Sequence, residues 1–221
     1  MRVTAHDLGC KASSASEHWV LRGVHCVMEP GTLTSLSGRS GSGKSTLLRA
    51  LAGLTAPTEG SIRYEDREPW GAVRSEQARF RRRCVGFVFQ EARFFDDLDL
   101  LDNTALPAWF ESRARARAEA RRALERLEIA HLAHRRPIEV SYGQAQRCGI
   151  ARAIVNGPRV LFADEPTASL DAESARIVAD LFEELRSSGV TILSSSHGDS
   201  PWRHVDSRWQ IAESRLVVIY P

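Results

Sequence analysis

Long apolar runs are missing from this chain. None approaches the ~20 residues that a bilayer-spanning helix needs, so work at a membrane would require another chain to supply the span. The stretch Met1 to Glu17 contains no apolar segment of signal-peptide type. Cysteine is scarce. Cys10, Cys26, Cys84 and Cys148 are the four present, and no two are spaced as a metal-ligand pair or within a disulfide framework. That excludes a small crosslinked scaffold and leads us to expect reduced thiols, as in a cytosolic protein. A dominant charge is also lacking. Lys and Arg number 30 against 28 Asp and Glu, a net charge of +2, so no whole-molecule argument exists for a nucleic-acid partner and none is expected. There is no internal repeat and no low-complexity linker.

What is present is ordinary globular material: 221 residues, 43% of them hydrophobic, enough for one sizeable core with a small satellite. Positive charge is local. Arg79, Arg81, Arg82 and Arg83 form one cluster and Arg113, Arg115, Arg117, Arg121, Arg122 and Arg126 another; both read as solvated helix faces. Residues 1–37 read as short strands, with Val20 to Met28 and Thr32 to Ser37 flanking a turn at Pro30-Gly31. Leu47, Leu48, Leu51 and Leu54 fall at helical spacing over Ser45 to Leu54, ended by Gly53 and Pro57. Ser61 to Tyr64 reads as a strand, Ser75 to Arg83 as a basic helix and Val85 to Phe89 as a buried strand. From 91 to 137 the pattern is helical, and Ser112 to Ile129 is rich in good helix formers. Gly143 to Ile154 continues it, giving a helical subdomain over about 91–155 within a single unit of 1–221. Arg159 to Ala163 and Thr191 to Ser195 read as strands around a helix at Ala172 to Ser187, and Arg208 to Ile211 with Leu216 to Ile219 as a closing hairpin. Alternating strands and helices predict an α/β fold with a mostly parallel sheet, an N-terminal antiparallel β subdomain and a helical insert.

The stretch Gly38-Arg39-Ser40-Gly41-Ser42-Gly43-Lys44-Ser45 fits G-x-x-x-x-G-K-[ST], after a strand and opening a helix. Small residues let successive backbone N–H groups converge on phosphate oxygens, and the helix aims its positive end at the same anion. Lys44 reaches the β- and γ-phosphates, Ser45 is placed to ligate Mg²⁺, and Thr46 assists at the α-phosphate. These residues imply a bound nucleoside triphosphate, ATP in the first instance. Farther on, Val160-Leu161-Phe162-Ala163 is an apolar strand ending in Asp164-Glu165. Ligands of open parallel sheets sit outside that end. Asp164 would hold the magnesium, directly or through water, and Glu165 would polarise the water that attacks the γ-phosphate.

These two motifs, with what stands between and after them, resemble the ATP-binding cassette (ABC) family. Val140-Ser141-Tyr142-Gly143-Gln144 is similar to its L-S-G-G-Q signature, Gln90 to its Q-loop glutamine, Ser169-Leu170-Asp171 to its D-loop and His197 to its switch histidine. Asn156-Gly157-Pro158 matches the turn before the second acidic strand. The order is the family's and covers essentially the whole chain. The resemblance implies a head-to-tail dimer, of two copies or of this chain with a related ATPase subunit, with two ATPs between them. Ser141, Tyr142, Gly143 and Gln144 of one subunit then face the γ-phosphate held by Lys44 of the other. Gln90 and His197 join Glu165 as catalytic residues, and Gln90 joins Ser45 and Asp164 around Mg²⁺. Leu101-Asp102-Asn103-Thr104-Ala105-Leu106-Pro107 resembles a segment of subunits of the lipoprotein-releasing, macrolide-exporting and cell-division type.

The role implied is an ATP-hydrolysing transporter subunit, soluble when isolated, held peripherally at the cytoplasmic side of the cell membrane by a separate membrane-spanning permease. Phe94, Phe95, Leu98, Leu100 and Leu101 either receive that permease or form the insert's own core. A regulatory or mechanical cassette, signalling through a membrane partner without transport, would use the same motifs. Departures from the family pattern are specific. Tyr142 stands where the signature has glycine; it either weakens the sandwich or points away, and Tyr142→Gly is expected to hydrolyse at least as fast. The aromatic that stacks on adenine is absent near Cys10 to Ala12, leaving His18 or Trp19 as substitutes, with Trp19 read as core. Gly198 displaces the family's His-Asp pair by one residue.

Overall fold

The computed structural model describes residues 1–13, 15–110, 112–196 and 201–219; His197 and Gly198 lie outside them. The chain opens with β1 (Val3–Lys11) and β2 (Trp19–Met28), paired antiparallel. In β2 Leu21, Val24, Cys26 and Met28 turn inward while Arg22, His25 and Val27 face out, the period of two that a half-buried strand requires. After Pro30-Gly31 comes β3 (Leu33–Gly38), buried from Leu33 to Leu36. The glycine loop follows, then α1 (Lys44–Leu51). This helix ends before Leu54 because Gly53 takes a left-handed φ of 73°. The Leu54 N–H then donates to the Arg49 carbonyl and the Gly53 N–H to that of Ala50, which satisfies two orphan acceptors of the last turn. β4 (Glu59–Tyr64) pairs with the other side of β1, giving an antiparallel sheet of order β2-β1-β4.

The rest of the chain alternates. α2 (Arg74–Cys84) feeds β5 (Val85–Val88); α3 (Leu100–Ala105), α4 (Arg113–Arg126) and α5 (Tyr142–Ile154) follow; then come β6 (Val160–Ala163), α6 (Ala172–Ser187), β7 (Thr191–Ser195), β8 (Ser207–Ala212) and β9 (Arg215–Ile219). The second sheet has the order β5-β6-β7-β3-β8-β9, parallel except for the final hairpin. Its two faces serve two cores. Phe162 and Leu193 join α1 and the antiparallel sheet, while Leu161 and Ile192 join the α3–α6 side. The α/β class, the antiparallel subdomain and the helical insert are as the sequence led us to expect.

The insert differs in detail. Residues 91–99 contain no helix, and α3 is only six residues long. The irregular stretch is held by Asn103, which is fully buried. Its Nδ2 donates to the carbonyls of Phe95, Leu98 and Asp99, and its Oδ1 accepts from the Phe95 N–H. One amide thus does the work of a turn of backbone hydrogen bonds. Leu100 and Leu101 are buried in the core and receive no partner, because α3 packs them against α4 and α5; Phe95, 64% exposed, stays outside. The basic face of α4 is only partly free. Arg113 and Arg117 both reach Asp102, at 3.3 and 2.6 Å.

Candidate nucleotide site

The glycine loop leaves the carboxyl end of β3 with backbone angles that side chains oppose. Gly38 has φ 154°, and a Cβ there would stand 2.6 Å from Ser42 Oγ. Gly43, at φ 104°, would put one 3.0 Å from Val20, because β2 packs against the loop. No side chain caps the N-terminus of α1. The N–H groups of its first turn are therefore left for an anion, which the helix dipole favours. Lys44 is 5% exposed. Its ammonium donates to the carbonyls of Gly38 at 2.9 Å and Arg39 at 3.4 Å, and lies 3.6 Å from Glu165 Oε1. Ser42 Oγ is buried with no hydrogen-bond partner among the described residues. Arg39, Ser40 and Gly41 form the exposed rim, with Ser45 and Thr46 half-buried behind it. A buried cation, an uncapped helix start and an orphaned hydroxyl make a cradle suited to phosphate oxygens.

Across from it, β6 delivers Asp164 and Glu165, 1% and 7% exposed. The Asp164 N–H donates to the Val88 carbonyl at 2.9 Å, which prolongs the β5–β6 ladder by one rung. The next residue then takes φ 48°, a left-handed turn rare for glutamate, and the two carboxylates diverge. Asp164 faces β7, where Ser195 Oγ donates to its Oδ1 at 2.8 Å; the same hydroxyl accepts the Glu165 N–H at 3.0 Å. Glu165 faces the loop, between Lys44 and Gln90, whose Nε2 donates to Glu165 Oε2 at 3.2 Å. Among the described residues no cluster of three or more His, Cys, Asp or Glu stands together. A divalent ion would instead find oxygen donors at Asp164, Ser45 and Gln90, with phosphate completing the set, the hard-donor chemistry that Mg²⁺ prefers.

Lys44, Glu165 and Gln90 are thus brought together, with Asp164 joined to them by Ser195. Sequence reading missed Ser195; the serine run Ser194-Ser195-Ser196, ending a strand that neighbours β6, was its only signal. The signature residues stand elsewhere. Ser141 and Gln144 close a reciprocal cap on α5: the Gln144 N–H donates to Ser141 Oγ at 3.3 Å, and the Ser141 N–H to Gln144 Oε1 at 2.9 Å. Ser141 and Tyr142 are exposed and Gly143 half-buried. The Tyr142 hydroxyl turns to its own subunit and donates to the Gln90 carbonyl at 3.3 Å. Asp171 caps α6, accepting the Ser174 N–H at 2.7 Å, and that backbone hydrogen bond holds its carboxyl below the usual range. Trp19 is half-buried, not core. It ends the β1–β2 pairing opposite Lys11, and Lys11 and Arg22 both lie over its ring, at 5.1 and 5.4 Å from the centroid.

This arrangement of loop, acid pair and capped signature helix defines a nucleotide-binding cassette. Residues 21–168 match the family described as ABC transporter. The lipoprotein-releasing system ATP-binding protein LolD of Myxococcus xanthus (strain DK1622) is 40% identical over 196 residues, 87% of this chain and 88% of that protein. The macrolide export ATP-binding/permease protein MacB of Burkholderia lata is 38% identical over 91% of this chain, which spans only 30% of MacB's length. A solved dimeric structure, a post-hydrolysis state of the ATP-binding cassette MJ0796 bound to ADP and Pi, superposes with a TM-score of 0.91 at 28% identity, covering 99% of this chain and 98% of that one. The chain belongs to the ABC transporter family, as one of its ATPase domains.

Proposed function

We propose that this chain is the ATP-binding and ATP-hydrolysing subunit of a membrane transporter, working as a head-to-tail dimer on a separate permease. One observation carries the reading: the site is half a site. Lys44, Glu165 and Gln90 converge, while Ser141 and Gly143 stand at a capped helix N-terminus open to the outside. Each is what the other lacks. A second copy turned head to tail supplies α5, whose N-terminal N–H groups face the γ-phosphate from the far side.

Within that sandwich the loop amides and Lys44 bind and orient the β- and γ-phosphates, with Thr46 at the α-phosphate. Ser45, Asp164 and Gln90 would hold Mg²⁺, which would supply neutralisation of the charge on the transferred group. Asp164 is fixed for this by Ser195. Glu165 orients the attacking water and accepts its proton, with Gln90 holding the carboxylate in place. Asp171 keeps the start of α6 in register beside the site, and His197 is assigned to the γ-phosphate. Wild-type turnover per chain should rise with protein concentration until the dimer saturates. Glu165→Gln should retain ATP and run as a dimer on gel filtration while losing at least a hundredfold in kcat, the scale of one general base. Turnover independent of concentration in a proven monomer would sink the reading.

The permease has a groove to enter. A cavity of about 320 Å³ between α2, α4 and α5 is lined by Arg82, Arg83, Phe110 and Arg115. It adjoins a second lined by Leu54, Arg81, Phe89 and Arg152. Phe110 is 75% exposed, with the Arg82 guanidinium 4.3 Å from its ring centroid. Arginines around exposed aromatics suit a short amphipathic segment with acidic residues on one side. Among the described residues no helix is long and apolar enough to cross a membrane, so on this reading the spanning part comes from the partner.

A further inference from the structure

We infer that Tyr142 couples the two nucleotide sites through one subunit, by tying the signature helix to the segment that carries Gln90. The inference rests on the paired-site reading above and goes beyond it. Where the signature has glycine this chain has a tyrosine, and its hydroxyl donates to the Gln90 carbonyl at 3.3 Å. That bond is the outermost of a series. Gln146 Nε2 donates to the Phe89 carbonyl at 3.1 Å. Gly149 lies so near Ala92 that a Cβ on it would stand 2.8 Å from the Ala92 Cβ. Arg152 Nη1 donates to the Arg93 carbonyl, and its guanidinium lies 4.9 Å from the Phe94 ring centroid. Residues 142, 146 and 149 share one face of α5, at the i, i+4, i+7 spacing, and that face is laid along residues 89–94.

The geometry gives the tyrosine a use that bulk alone would not. Ser141, one peptide away, is the residue offered to the partner's ATP. Gln90, whose backbone the tyrosine holds, donates to Glu165 at 3.2 Å, and Glu165 lies 3.6 Å from Lys44. A shift of the signature helix as it meets the partner's phosphate is passed through Tyr142 to the glutamine and the acid of its own site. Tyr142 is a positioning residue. The residue is 51% exposed, so the hydroxyl is removable without opening the core. On this inference Tyr142→Gly, expected to hydrolyse at least as fast, would lose the coupling.

The test compares the full-length chain with Tyr142→Phe, which keeps the ring and deletes the hydroxyl. Amide exchange over residues 89–94 without nucleotide should quicken roughly two- to tenfold, the range one neutral hydrogen bond is worth, with α6 unchanged. The Hill coefficient for ATP in steady-state turnover should fall toward one, while turnover still rises with protein concentration. Tyr142→Gly should move both readouts at least as far. Wild-type exchange and a wild-type Hill coefficient in Tyr142→Phe would overturn the inference. Faster exchange with an unchanged Hill coefficient would reduce the tyrosine to a strut and overturn the coupling. Wild-type turnover that ignores protein concentration would overturn the paired-site reading itself.

Discussion

Single side chains in this protein are readable through their surroundings. Burial pushes the Cys26 thiol up to about 12 and the Cys148 thiol to about 11, because the interior disfavours the thiolate. Both should resist alkylation at neutral pH in the folded chain and react only on unfolding, as mass spectrometry of iodoacetamide-treated protein would register. The same shift has a sign for stability. The folded state keeps its thiol proton while the unfolded state loses it above the ordinary thiol value of 9.0. Stability is therefore intact below that pH and drains away as pH climbs toward about 12. Cys26→Ala should flatten that alkaline limb in urea titrations. At this scale the turns of the glycine loop were legible, since its eight residues are consecutive and Gly38, Gly41 and Gly43 take the positive φ that glycine favours. The partners of the two acids were not. Ser195 meets Asp164 at a sequence separation of 31, and Tyr142 meets Gln90 at a separation of 52; neither pairing leaves a mark on local spacing.

Among the elements, α5 is held at both its N-terminus and one face. Its N-terminus is held by a reciprocal cap, its face is ruled by segment 89–94, and Gly149 permits the closest approach. In an exposed helix, glycine to alanine would stabilise by up to about 1 kcal/mol. Here the added methyl has no room, and overpacking of this kind costs about 1–3 kcal/mol. Gly149→Ala should therefore lower the stability measured in chemical denaturation; a gain would mean that α5 and segment 89–94 yield easily. The sequence announced α5 clearly, through Ser141 and the apolar spacing that follows. It misjudged residues 91–99, where the order comes from the four hydrogen bonds of buried Asn103 and not from any periodic pattern.

For the molecule as a whole, sheet order decides what meets what. The ends of β3, β5, β6 and β7 supply the glycine loop, Gln90, the acid pair and Ser195, and in a parallel sheet those ends lie on one side. That architecture was legible from alternating strands and helices. The face on which the arginines of α2 and α4 gather was not, because these helices are consecutive basic runs only in sequence and meet through the fold. At a net charge of +2, the proposed attraction to a permease would reside in this patch and not in the overall field. Binding of the chain to membranes containing its permease should weaken sharply between 0.1 and 1 M salt, as the screening length falls from about 10 to about 3 Å. Arg82→Glu with Arg115→Glu should abolish it in a flotation assay while ATP binding persists.

The position of β3 also sets a schedule. The strand that launches the phosphate loop is hydrogen-bonded to β7 on one side and β8 on the other, and both are made more than 150 residues after it. A ribosome therefore releases the glycine loop long before the strand behind it has neighbours. Its apolar residues wait unpaired through the synthesis of the entire helical insert, in the kind of long-range closure that is slow and prone to misassociation. On the proposed reading, nucleotide affinity waits for β7 and β8 to take their places beside β3, so a nascent chain that has made only the glycine loop and the helical insert should not capture ATP.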